Sequence, residues 1–104
     1  MKIFKYILPP NNKDSLALPK RAIILHIQMS DNNICLWAFV NDKQSETVRV
    51  DFKVVMTGEE IAEYPIYSNG NILEYFKTIQ AEPHVWHIFL QKNIVDSGIT
   101  WVNR

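Results

Sequence analysis

Hydrophobic and polar residues alternate most cleanly over residues 47–55, where Val48, Val50, Phe52 and Val54 are separated by Arg49, Asp51 and Lys53. A period of two marks a β-strand with one face on a core and the other in water. Residues 23–29 alternate in the same sense, with Ile23, Leu25, Ile27 and Met29 on one side and Ile24, His26 and Gln28 on the other. Residues 34–40 (ICLWAFV) are apolar throughout, as a central strand covered on both faces would be. The Ser30-Asp31-Asn32-Asn33 stretch between them is turn chemistry, because Asn and Asp tolerate left-handed backbone, so the two segments predict a hairpin. The polar connection at residues 41–46 is then expected to return the chain antiparallel into the strand that follows. Residues 3–8 predict a first strand stopped by Pro9 and Pro10, and residues 16–18 a short edge piece.

Beyond Met56 the pattern changes. Thr57-Gly58-Glu59-Glu60 fits a capping box, which predicts one helical turn running to about Glu63 and stopped by Pro65. Ser68-Asn69-Gly70-Asn71 is a turn, and residues 75–80 and 85–91 form a second predicted hairpin across Ala81-Glu82-Pro83. Ile72, Leu73, Phe76 and Ile79 also share one helix face, so periodicity alone leaves residues 71–80 open between strand and helix. Residues 99–102 predict a last strand after the Asp96-Ser97-Gly98 turn.

The chain has 104 residues, 47% of them hydrophobic, which suits one domain, and no internal repeat or linker interrupts it. Ile and Val together number 21 against 12 for Ala and Leu, a bias toward pleated sheet. The expected fold is a mainly β, mostly antiparallel single domain of six or seven strands, a sandwich or small barrel, with at most one short helix near residues 58–63.

Charge narrows the function. Eleven basic residues balance eleven acidic ones, and neither half of the chain carries the basic excess that phosphate neutralisation demands, so general DNA binding is disfavoured. No run reaches the roughly 18 apolar residues of a membrane span. The N-terminal apolar run is broken by Lys5 and Pro9 and lacks a signal-peptide core, so a cytosolic location is expected. The single cysteine, Cys35, has no internal disulfide partner and lies in an apolar run, where a thiol behaves as a small hydrophobe.

Catalytic signatures are missing: the three glycines are far apart, and neither a Ser-His-Asp pattern nor Gly-x-Ser-x-Gly occurs. His84-x-x-His87 invites a metal reading, but residues three apart on a strand face opposite ways. No metal and no cofactor are therefore expected. Glu59, Glu60 and Glu63 form an acidic cluster whose stronger reading is complementing a helix dipole rather than acid–base work. A surface remains. Tyr64 and Tyr67 beside those glutamates, together with Trp101, are candidate partner-binding residues, the ordinary alternative being loop tyrosines and a tryptophan that caps the core. Arg21, Arg49, Lys53 and Trp101 are candidates for a nucleotide site, cations for phosphates and a ring for a base.

The ordered blocks Met1-Lys2-Ile3-Phe4-Lys5-Tyr6 with Leu8-Pro9, Leu18-Pro19 with Ala22 to Ile27, Ile34 to Val40, Thr57-Gly58, and Thr78-Ile79-Gln80 with Val85 to Phe89 resemble a family of small uncharacterised proteins encoded by bacteriophages and prophages. The resemblance covers residues 1–90, and no block is a catalytic motif. It departs at residues 59–73, which are longer and more acidic, and at residues 92–104, which look additional. It implies strand rather than helix for residues 74–80.

The expected function is a non-catalytic phage-encoded binding protein, an inhibitor of a host anti-phage defence protein acting by steric occupation in the host cytoplasm. Its aromatic anchors would fill a pocket while the glutamates steer encounter. One alternative is a sponge that sequesters a nucleotide signal between subunits; another is a minor structural or regulatory phage protein. A homo-oligomer is compatible with the apolar content and with edge strands that invite symmetric pairing.

Overall fold

The protein was studied as a computed structural model, which describes residues 1–9, 15–92 and 94–102, with the backbone alone of Asp96. Among these lie nine strands: β1 (Lys2–Ile7), β2 (Ser15–Pro19), β3 (Ile23–Ser30), β4 (Asn33–Val40), β5 (Thr47–Met56), β6 (Ile66–Ser68), β7 (Asn71–Ala81), β8 (His84–Gln91) and β9 (Thr100–Trp101). They form two sheets, in the orders β1-β4-β3-β9 and β2-β5-β8-β7-β6. All neighbours are antiparallel except β3 and β9, which run parallel. The expected β fold is present, with more strands than foreseen because β6 and β9 are only three and two residues long.

The main core collects one face of each sheet. Ile24, Ile27, Leu36, Ala38 and Val40 from the first sheet meet Leu18, Val50, Phe52, Ile88 and Leu90 from the second, all essentially inaccessible to water. Lys77 fastens the two together by donating from Nζ to the Ile27 carbonyl at 2.8 Å.

Turn residues match the turns they make. Asp31 and Asn32 are both at positive φ in the β3–β4 hairpin, and Asn69 and Gly70 likewise in the β6–β7 hairpin, as two-residue turns matched to the strand twist require. The β7–β8 hairpin turns across Glu82 and a cis Pro83, and residues 71–80 are strand. Pro9 follows β1 as expected, and Pro10 lies outside the described residues.

Four expectations need correction. Residues 41–46 do not fold β5 back onto β4; they carry the chain from one sheet to the other, where β5 pairs with β2 and β8. The alternation in β3 breaks at a bulge between Ile24 and His26, so Ile24 and Ile27 both face the core while Leu25 does not stay in phase. Asp51 is not on a wet face but fully buried. No helix forms at residues 58–63; among the described residues the one helical element is a 3-10 turn at Ile94–Ser97.

Charge pairs meet strand β1 at its start and at Lys5. Asp42 accepts from Lys2 at 3.4 Å and from the N-terminal ammonium at 3.7 Å, and Asp31 pairs with Lys5 at 3.7 Å. Desolvation works to raise the Asp42 pKa, but its backbone hydrogen bond, Lys2 and the terminal ammonium outweigh it and hold the carboxyl below its usual range. Among the described residues no helix is long and apolar enough to cross a membrane.

Candidate functional site

The most exposed stretch of aromatic and acidic side chains is the connection from β5 to β6. Because β8 and β7 lie between those strands in the sheet, residues 57–65 must cross past both. The crossing begins in a tight turn: the Glu59 amide donates to the Met56 carbonyl at 2.9 Å around Gly58, whose φ of +93° suits glycine. Glu59 Oε1 in turn accepts from the Met56 amide at 3.2 Å. This reciprocal pairing resembles half of a capping box, but the Thr57 amide is already committed to the Val85 carbonyl of β8 at 2.9 Å, so the chain leaves as a strand end and no helix starts.

A polar relay fixes that end to the sheet. The Thr57 hydroxyl lies 2.7 Å from His87 Nε2, Thr78 Oγ1 lies 3.0 Å from His87 Nδ1, and the Tyr75 hydroxyl lies 2.7 Å from Thr78 Oγ1. Both ring nitrogens of His87 are thus engaged by hydroxyls. His84 is on the opposite face of β8, tilted against Trp86 at 5.7 Å, so the His-x-x-His pair does not converge. Among the described residues no group of three or more His, Cys, Asp or Glu side chains could hold a metal ion.

Glu59, Glu60, Glu63 and Tyr64 are all exposed along the crossing, and Tyr67 follows on β6; Tyr64 is 82% and Tyr67 54% accessible. None of the three glutamates makes an ion pair among the described residues. Buried Ile66, between the two tyrosines, anchors the far end. Trp101 is elsewhere: it packs edge-on against Phe76, ring centroids 5.5 Å apart, at the edge of the other sheet. The five loop and β6 residues of the expected partner-binding set are therefore all exposed between the end of β5 and β6, with the tryptophan apart from them.

The nucleotide candidates divide into two pairs. Arg49 and Lys53 share the outer face of β5, where Lys53 is in register with Phe89 and Tyr75, and Arg49 Nε is 3.3 Å from Asp51. Arg21 sits in the β2–β3 turn beside Gly98, on the side of β3 and β9 where Trp101 lies. One copy of the chain does not bring the four together. Cys35 is buried, with its Sγ 3.6 Å from the Asn33 carbonyl.

Asp51 was missed by sequence reasoning. Its carboxylate accepts from Asn71 Nδ2 at 2.7 Å and Asn69 Nδ2 at 3.3 Å, besides the Arg49 contact, and its amide donates to Gln91 Oε1 at 3.2 Å. It ties the β6–β7 turn to β5 and so fixes the hairpin that carries Tyr67. The signal was present in the two asparagines of the turn, which read as backbone formers although their side chains were free to reach a carboxylate.

No curated protein and no solved structure matches the chain. The family match runs past residue 92, so of the segment expected to be additional only residues 98–104 lie beyond it. By that match the chain belongs to the family described as Domain of unknown function (DUF7352), whose model covers residues 1–97.

Proposed function

We propose that this protein is a non-catalytic binding protein of a bacteriophage or prophage, and that it inhibits a host defence protein by occupying its surface. The carrying observation is the β5–β6 crossing, where Tyr64 and Tyr67 stand exposed beside three glutamates that have no ion-pair partner among the described residues. Solvated aromatic rings on an anchored segment are the usual source of binding energy once a partner pocket desolvates them. Unpaired carboxylates around them speed encounter with a basic patch. The phage assignment rests on the block resemblance, and the choice of a defence protein on the absence of any reactive constellation in the sequence.

Photo-crosslinking from a benzoylphenylalanine at position 64 in phage-infected cells identifies the protein that touches the crossing. Calorimetric titration of that protein then compares the wild-type chain with a Glu59→Lys/Glu60→Lys/Glu63→Lys variant and with Tyr64→Ala/Tyr67→Ala. The expected result is at least a tenfold loss of affinity for each, about 1.4 kcal/mol or more. Unchanged affinity in both variants sinks the proposal.

A further inference from the structure

Four strands end the two sheets, and three of them are protected. β6 and β9 are three and two residues long, and β2 is five residues closing on Pro19. Short strands and prolines are the devices that keep edges from pairing. β1 has neither: six residues, no proline, and a single described neighbour, β4.

Its side chains are exposed on both faces. Ile3 and Ile7, in register with Phe39 and Cys35 on the outer face, are 57% and 53% accessible, and Phe4, in register with Ala38 on the core side, is 40% accessible. Lysine is the other common guard of an edge. Here Lys2 and Lys5 are each matched by a carboxylate of a turn at one end of β4, Asp42 and Asp31.

The backbone sets which groups point outward. The Leu8 amide donates to the Ile34 carbonyl at 2.8 Å, which makes the even-numbered residues of this ladder the hydrogen-bonded ones toward β4. The N–H and C=O groups of Ile3, Lys5 and Ile7 therefore face away from β4, toward the side on which no described strand pairs.

We infer that β1 is a homodimerisation edge, pairing antiparallel with β1 of a second copy about a two-fold axis at Phe4. A two-fold perpendicular to the sheet keeps outer residues outer, so odd positions must pair with odd. Centring on Lys5 would oppose two lysines, whereas centring on Phe4 places Ile3 opposite Lys5 of the second copy and Lys2 opposite Tyr6. In that register the outward-facing odd residues form the hydrogen-bonded pairs, each exchanging two N–H···O bonds. Phe4 meets Phe4 of the second copy at the close, non-hydrogen-bonded position, where aromatic pairs contribute most. Of the registers that set odd opposite odd, this one pairs five residues of KIFKYI without opposing two lysines, which favours a second copy over an unrelated extended peptide.

Sedimentation equilibrium at high micromolar concentration tests it, with a mass near twice the 12.2 kDa chain expected. Ile3→Pro removes an outward N–H that has no partner among the described residues and is expected to give a monomer with an unchanged circular dichroism spectrum. Phe4→Cys is expected to form a disulfide-linked dimer under mild oxidation, and Lys5→Cys is not. A wild-type monomer overturns the inference, as does a dimer that survives Ile3→Pro. If Ile3→Pro fails to fold, the cysteine pair decides: no cross-link at position 4, or equal cross-linking at 4 and 5, overturns it.

Discussion

Replacing Asp51 by alanine tests whether one buried carboxylate holds the β6–β7 hairpin on the sheet. The short bond from Asn71 at 2.7 Å is the principal loss, the longer one from Asn69 at 3.3 Å a lesser one, and the Arg49 contact the smallest, because the arginine side chain is 58% exposed and screened by water. Hydrogen bonds to charged acceptors contribute about 1.5–3 kcal/mol each, and the partly solvated asparagines recover some of that from water. The net expectation is a destabilisation of about 2–4 kcal/mol, a large part of the roughly 5–15 kcal/mol that such a domain holds. Urea unfolding followed by tryptophan fluorescence measures it. Asp51→Asn should cost less than alanine, since the amide can keep its oxygen on the Asn71 donor and turns its NH2 only toward Asn69 and Arg49. Hydrogen exchange should quicken at residues 66–73 before the rest of the sheet. A cost below about 0.5 kcal/mol, within the usual range of neutral surface changes, refutes the reasoning.

Three further outcomes are expected. Phe52→Ala, which empties the largest fully buried side chain of the core, should cost about 3–5 kcal/mol in the same urea assay. Burial pushes the Tyr6 phenol above its ordinary range. A raised folded pKa means its stabilising contribution is complete below the unfolded value of about 10 and is lost as pH rises through the folded one, so unfolding should become easier above about pH 10, and Tyr6→Phe should remove that dependence. His87→Leu strips both hydroxyl partners and should cost about 1–2 kcal/mol while freeing the turn at residues 56–59, seen as faster exchange of the Thr57 amide; no change in exchange there contradicts the anchoring role of the relay.

Local chemistry made most elements legible. Alternation marked β5, and Asp31-Asn32 and Asn69-Gly70 marked their hairpins, because period and turn preference are carried by neighbouring residues. Pairing across the molecule was not. A polar run such as residues 41–46 closes a hairpin or switches sheets with equal ease, and only the distant partners β2 and β8 decide. The bulges at Leu25 and Phe76 shift the face of every residue beyond them, and nothing in the flanking composition announces them. Of the candidate site, the exposed glutamates and tyrosines were readable because polar context around an aromatic ring implies a surface. Asp51 was not, because an acidic residue alternating with valines looks solvated until the turn that covers it is placed.

The missing helix at residues 58–63 follows from the same topology. Met56 stands level with Trp86 and Ile79, whereas Ile66 pairs with Leu73, level with Gln91. Reaching it means crossing about 14 Å over three inter-strand gaps and returning about 17 Å along the strands, roughly 22 Å on the diagonal. The ten links from Met56 to Ile66 reach at most about 33 Å when extended. Winding six of them at about 1.5 Å per residue would cut the reach to roughly 22 Å, leaving nothing to clear the side chains of β8 and β7. The connection therefore stays non-helical, with bends at residues 62–65, and a segment spanning a sheet that already has its core finds no second core to enter. That is why Glu59, Glu60, Glu63 and Tyr64 end up in water between two fixed ends, the Thr57–His87 bond and buried Ile66. The segment that sequence periodicity describes worst is thus the one whose exposure the sheet order dictates.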